Sequence, residues 1–131
     1  NPNMVSTRAL YAAAAGTGEA GALADRVRTL LGATYLDRAL AEVAAALEAA
    51  QASHGADAAE RIATARSLVA PTGDVVARAV VELAGAEVAR RTDDPDAPHQ
   101  RVEADRRFAN LGIDPAGWVR IIGLTASAVP A

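Results

Sequence analysis

A histidine and a glutamate lie four residues apart in the second half of the chain, at His99 and Glu103. On a helix this spacing puts both side chains on one face, where they could share a metal ion or transfer a proton. A metal centre normally needs three or four ligands, and no second histidine lies nearby in the sequence. An exposed ion pair on a polar helix is the better interpretation, so we predict no metal, no cofactor and no catalytic residue.

Three aspartates precede this pair, at Asp93, Asp94 and Asp96. Clustered carboxylates are typical of calcium sites. An EF-hand loop also needs a glycine and a terminal glutamate at set positions, and neither is present. Because two prolines interrupt the same stretch, residues 92–98 are predicted to form an exposed loop.

Arginines supply a third kind of candidate chemistry. Arg26, Arg66 and Arg78, if they point inward, could hold an anionic ligand inside a helical bundle. More often such arginines pack their stems along the margin of a helix and keep their charged ends in water. A small-molecule-binding or enzymatic bundle is therefore retained as an alternative. The chain offers no glycine-rich phosphate loop and no GxSxG setting for its serines.

The sharpest local motif is the segment 108–120, with the sequence FANLGIDPAGWVR. It resembles the centre of a helix–turn–helix, in which a glycine turn and a capping acid lead into a second helix. This resemblance implies DNA binding, with Ala116, Gly117 and Arg120 facing the groove. Gly117 weakens a short recognition helix, and so weakly basic a segment would anchor phosphates poorly. DNA binding by the pair of helices at about 98–124 is therefore a second hypothesis.

The composition indicates which elements hold these residues. The chain has 131 residues, the size of one ordinary domain, and 51% of them are hydrophobic. That fraction includes 35 alanines, whereas only four residues are aromatic. Alanine has the best intrinsic helix propensity, so the composition favours helices throughout. We therefore expect an all-α domain with a thin, closely packed core.

The charge and the cysteine content limit the partners and the cellular compartment that we expect. The formal charge is −3 and all thirteen basic residues are arginine, so no global field would attract nucleic acid or an anionic membrane. No run of about 18 apolar residues exists, and no membrane partner is predicted. The absence of cysteine fits a reducing compartment. We expect a cytoplasmic bacterial protein.

Capping residues and hydrophobic spacing divide the chain into short helices. Thr34 and Asp37 form an approximate capping box. After it, hydrophobic residues at steps of four, three and four predict one buried stripe, with Arg38, Glu42 and Gln51 elsewhere on the helix. Asp57 and Glu60 suggest a cap for the next helix. The stripe consists of Leu36, Leu40, Val43 and Leu47, and the predicted helices cover about 6–15, 19–31, 34–53, 57–70, 74–91, 98–111 and 115–124.

The helix at about 74–91 is predicted to lie at the centre. Its valines and Leu83 occupy more than one face, as expected of a helix that packs on several sides. The fold prediction is an irregular or orthogonal bundle of six to seven short helices around this element. Residues 1–131 form one alanine-rich domain, with loose termini at 1–5 and 125–131.

No catalytic constellation is visible, and this favours a non-catalytic interaction or assembly module. Short, alanine-rich helices bury little area each, so self-association would add stability. Exposed aromatic residues and arginines are typical interface anchors. The predicted partner surface is therefore the C-terminal helix pair, and its residues are Phe108, Trp118, Arg106, Arg107 and Arg120.

Overall fold

A computed structural model describes residues 8–9, 17–30 and 32–127 of the chain. Within these ranges the protein consists of six α-helices and contains no strand, so the predicted all-α bundle is confirmed. The predicted helix at 6–15 lies outside the described residues except for Arg8 and Ala9, which are helical. The helices are α1 (Ala20–Thr29), α2 (Tyr35–Gln51), α3 (Gly55–Val69), α4 (Val75–Arg91), α5 (Ala97–Leu111) and α6 (Ala116–Ser127).

The start of α2 is fixed by the predicted capping box. The Thr34 hydroxyl oxygen accepts the N–H of Asp37 at 3.2 Å, and the Asp37 carboxylate accepts the N–H of Thr34 at 3.2 Å. Two N–H groups at the helix end are thereby satisfied. Asp74 caps α4 in a simpler way, because its carboxylate accepts the N–H of Ala77 at 2.9 Å.

The predicted cap of α3 is wrong. This helix begins at Gly55, with His54 at the N-cap position and no side-chain cap, so Asp57 lies within the first turn. The reason is a tight reversal after α2, in which Ser53 has a positive φ of 64° and the His54 N–H donates to the Ala49 carbonyl. The chain turns within three residues, and the next helix starts earlier than its acidic residues suggest.

Two helices share the centre of the bundle. As predicted, α4 packs on several sides, against α2, α3, α5 and α6. Helix α2 is equally central, because it packs against α1, α3, α4 and α6. The largest fully buried side chains of the main core lie on these two helices and on α5, and they are Val43, Leu47, Val81, Leu83 and Phe108.

A smaller core lies on the opposite side of α2. Leu23 and Val27 of α1 pack there against the buried alanines of α2, and Ala9 belongs to the same cluster. The stripe predicted for α2 is therefore only part of its buried surface. Leu36, at the N-terminal end of that stripe, is 40% exposed, because it lies in the first helical turn at the open end of a groove.

The turn between α5 and α6 matches its sequence signals. Gly112 adopts a left-handed conformation with φ 68°, and the N–H of Ile113 donates to the Phe108 carbonyl at 3.1 Å. The Asp114 carboxylate then accepts the N–H of Ala116 at 2.9 Å. Helix α6 continues to Ser127, into the predicted tail at 125–131, whereas 1–5 and 128–131 lie outside the described residues.

None of the six helices described is long and apolar enough to cross a membrane.

Candidate interaction surface

An apolar groove opens where α6 meets the first turns of α2 and α4. Its volume is about 160 Å³. Leu36 and Leu40 come from α2, Val76 and Val80 from α4, and Trp118 from α6. The remaining lining residues are Ala39, Asp74, Ala77 and Val81. We call this feature the Trp118 groove, since three separate helices contribute to it and its one tryptophan forms a wall.

A hydrogen bond ties together the two helix ends that form the mouth of the groove. The Tyr35 hydroxyl donates to the Asp74 carboxylate at 2.7 Å. The Ala77 N–H and the Tyr35 hydroxyl hold the pKa of Asp74 below its ordinary value. The same bond raises the pKa of Tyr35, because losing the phenolic proton would put two negative charges side by side. The first turns of α2 and α4 are thus fixed relative to each other.

Large hydrophobic side chains are exposed on and beside this groove. Leu36 is 40% exposed and Val76 is 39% exposed, and both line it. Ile121 lies one turn beyond Trp118 on α6 and is 41% exposed. Tyr35 and Val75, which adjoin the groove in sequence, are exposed as well. Exposed apolar groups concentrated in one region are typical of an interaction surface.

Phe108 does not belong to any surface, which corrects its prediction as an exposed anchor. Its side chain is 0% exposed in the main core. The reason is the packing of α5 on α4, which turns this face of α5 inward. Burial of the largest side chain of α5 stabilises the bundle, but it leaves Phe108 unavailable to a partner of the folded protein.

The other predicted anchors lie in different places. Trp118 is half-buried in the groove, and Arg120 is exposed on the same helix. Arg106 is exposed on α5, where it forms an ion pair with Glu103 at 3.1 Å, and Arg107 is half-buried. Helices α5 and α6 both pack on α4 and make little contact with each other. Of the predicted set, only Trp118 lines the groove.

The residues considered for chemistry at the sequence level are dispersed. His99 is exposed, and Glu103 bonds to Arg106. Asp93, Asp94 and Asp96 lie in the predicted exposed loop, which ends slightly early because α5 begins at Ala97. In the described part of the chain, no three histidine or carboxylate side chains come together in a way that could hold a metal ion.

The three arginines considered for an inward ligand site are on the surface, which is the commoner of the two positions weighed for them. Arg26, Arg66 and Arg78 are exposed, and Arg66 bonds to Glu82 at 2.8 Å. Two arginines that the sequence did not single out, Arg61 and Arg91, are largely buried instead, with side chains 14% and 4% exposed.

Glu42 anchors the first buried ionic group, although the sequence pattern predicts it away from the core. Its side chain is 2% exposed and accepts bonds from Arg28 of α1 at 2.6 Å and from Arg61 of α3 at 3.2 Å. Arg61 also donates to Asp25 at 2.9 Å. Burial disfavours the charge of Arg61, but the bonds to Asp25 and Glu42 outweigh it and raise its pKa. These four residues form the Glu42 cluster.

Arg91 anchors the second buried ionic group, near the end of α4. It donates to the Glu87 carboxylate at 2.7 Å and to the backbone carbonyls of Leu47 at 3.2 Å and Ile122 at 2.9 Å. Burial lowers the pKa of Arg91, although Glu87 opposes this effect. Burial alone would raise the pKa of Glu87, but Arg90 and Arg91 reverse the shift and lower it. We call these contacts the Arg91 cluster.

A larger open groove of about 530 Å³ lies between the end of α4 and the start of α5. Two arginines on its walls are already engaged by acids. Arg90 bonds to both oxygens of Glu87 at 2.8 Å, and Arg101 bonds to Asp105 at 3.0 Å. Since Asp93 and Asp94 also line it, this groove has mixed charge and favours no single class of ligand.

Comparison of the chain with known protein families, with curated proteins and with solved structures finds no match.

Proposed function

We propose that the protein is a non-catalytic assembly module that self-associates through the Trp118 groove and the exposed side chains around it. The observation that carries the proposal is the convergence of Leu36, Val76 and Trp118 from three helices on one apolar groove. A second copy of the chain is the proposed partner. In a twofold dimer each copy contributes the same patch, so exposed side chains of one copy can enter the groove of the other.

The composition of the core supports self-association. Seven of the eleven buried residues of α2 are alanine, and a buried alanine removes little apolar area from water compared with leucine or phenylalanine. Covering Leu36, Val76 and Ile121 in a dimer would add apolar burial that the single chain lacks. The half-buried Trp118 supplies the kind of large, rigid side chain that dominates interface energies.

The sharpest test replaces Val76 by glutamate. Val76 lies in the first turn of α4, where a negative charge interacts favourably with the helix dipole, so Val76→Glu should fold normally. A charge in the groove should nevertheless prevent association. We expect the wild type to show a mass above that of the monomer in light scattering as its concentration rises, and Val76→Glu to remain monomeric.

The matched control is Val102→Glu. Val102 is 56% exposed on α5 and does not line the groove, so this variant introduces the same charge change elsewhere. It should associate like the wild type, and Trp118→Ala should associate more weakly. A wild type that stays monomeric at every concentration, or equal loss of association in Val76→Glu and Val102→Glu, would contradict the proposal.

DNA binding by α5 and α6 is the second candidate. It is favoured by the exposure of Ala116, Gly117 and Arg120 along α6 after a tight glycine turn. Two facts weigh against it: Arg101 and Arg106 are each paired with an acid, and α5 packs on α4. This candidate predicts a gel shift at low salt that weakens steeply with added salt and disappears in Arg120→Ala. Without a shift at low salt, it fails.

A further inference from the structure

Helix α1 differs from the other helices in what holds it to the bundle. Like α5, which packs extensively only against α4, it packs extensively against one described helix, α2. Its larger buried side chains are Leu23 and Val27, and the α2 residues of the same cluster are Ala41, Ala44 and Ala45. Because alanine offers little apolar area, this contact gains less from the hydrophobic effect than the packing of α4 or α5.

Charged side chains also hold α1 to the bundle. Arg28 of α1 donates to Glu42 of α2, and Asp25 of α1 accepts from Arg61 of α3. At the beginning of α1, the Glu48 carboxylate accepts the N–H groups of Ala20 at 3.1 Å and Gly21 at 3.5 Å. Carboxylates at a helix N-terminus and ion pairs between helices both act through charge.

Salt can reach the α1 side of these contacts. The side chains of Asp25 and Arg28 are 58% and 50% exposed, although their partners Arg61 and Glu42 are largely buried. Ion pairs with an exposed partner are screened by dissolved ions, and water readily replaces a bond that is lost. If α1 leaves, Glu42 keeps Arg61 and regains contact with water, so no uncompensated buried charge opposes the opening.

We propose that α1 is an electrostatic latch, which salt releases from α2 while the rest of the bundle stays folded. Release uncovers the Glu42 carboxylate and the alanines of α2 that face α1. The Trp118 groove is formed by other parts of the molecule, so the latch does not depend on the proposed self-association.

Amide hydrogen exchange read by mass spectrometry tests the latch in the full chain. NaCl is raised from about 0.1 M to about 1 M, over which the Debye length falls from about 10 Å to about 3 Å. We expect exchange in α1 to accelerate about fivefold, the size of effect that weak ion pairs produce. Exchange in α4 should not change. Equal acceleration in α4, or no acceleration in α1, would overturn the proposal.

Two variants separate the latch from a general loss of stability. Asp25→Asn removes one exposed partner and leaves Glu42 and Arg61 paired, so it should fold, speed exchange in α1 at low salt and reduce the response to salt. Glu42→Gln should do the same more strongly. The matched control is Glu103→Gln, which breaks an exposed pair on α5 and should leave α1 unchanged. If Asp25→Asn exchanges like the wild type at both salt concentrations, the latch is disproved.

Discussion

The two buried ionic clusters join helices in different ways. In the Glu42 cluster the hydrogen bonds described run between side chains, and two of the four partners are about half exposed. In the Arg91 cluster a guanidinium that is 4% exposed also donates to two backbone carbonyls, on α2 and α6. A side chain can rotate into water, but a helical carbonyl cannot. The first cluster can therefore open locally, whereas the second opens only when three helices separate.

The largest expected effect comes from removing the second cluster's cation. Arg91→Met should lower the free energy of unfolding by about 3–6 kcal/mol, because it removes two hydrogen bonds from a charged group, to the carbonyls of Leu47 and Ile122, at about 1.5–3 kcal/mol each. Glu87 keeps its bonds to Arg90. Urea denaturation followed by circular dichroism measures this loss.

Arg61→Met is the matched change in the Glu42 cluster. It should lower the free energy of unfolding by about 1.5–3 kcal/mol, a value typical of hydrogen bonds to charged groups. The loss should appear mainly as faster amide hydrogen exchange in α1. An equal global loss in both variants would show that the two clusters do not differ. Arg90→Met, which removes a largely exposed guanidinium, should change stability by less than about 1 kcal/mol.

An intermediate effect is expected from acid, through Glu87. Its pKa is lowered in the folded protein, so its contribution is complete above the ordinary value of 4.5 and is lost as the pH falls through the lowered folded value. At neutral pH, Glu87→Gln should be less stable than the wild type by about 1.5–3 kcal/mol. This difference in the free energy of unfolding should disappear as the pH falls through the lowered pKa of Glu87. Urea titrations at several pH values test this, and a gap that stays constant would contradict it.

The smallest effect concerns the hydrogen bond between Tyr35 and Asp74, because this bond is exposed whereas the two ionic clusters are largely buried. The raised pKa of Tyr35 means that any stabilisation is present below its ordinary value of 10.0 and is lost as the pH rises through the folded value. In Asp74→Asn the phenol should titrate closer to 10.0. Phenolate absorbance measures the shift, and Tyr35→Phe identifies which transition belongs to Tyr35. Identical titrations in wild type and Asp74→Asn would exclude the effect.

Local signals in the sequence predict the helices well. The capping box at Thr34 and Asp37 and the stop at Gly112 both appear as expected, because each depends on residues a few positions apart. The burial of individual residues is predicted less well. Alanine fits both buried and exposed positions, so an alanine-rich helix gives little contrast between its faces, and Leu36 and Phe108 lie in environments other than the predicted ones.

Local sequence patterns do not predict contacts between residues that are far apart in the chain. Glu42 is buried because arginines 14 and 19 positions away, on two other helices, neutralise it. Nothing in its own neighbourhood indicates this. The pair Glu87 and Arg91 is visible at helical spacing, but the carbonyls that Arg91 reaches are not. The Trp118 groove likewise joins three helices, and the sequence predicts only Trp118 of its residues as a partner contact.

The order in which the chain is made bears differently on the two clusters. Among the described residues, every partner of Glu42 has been synthesised once Arg61 has left the ribosome, and the helices involved are consecutive. Arg91 must wait for Ile122, which follows it by 31 residues. Since chains begin to fold from the N-terminus during synthesis, the α1 to α3 unit can assemble first. The three helices that the Glu42 cluster joins would then be in place before Arg91 makes its bond to α6.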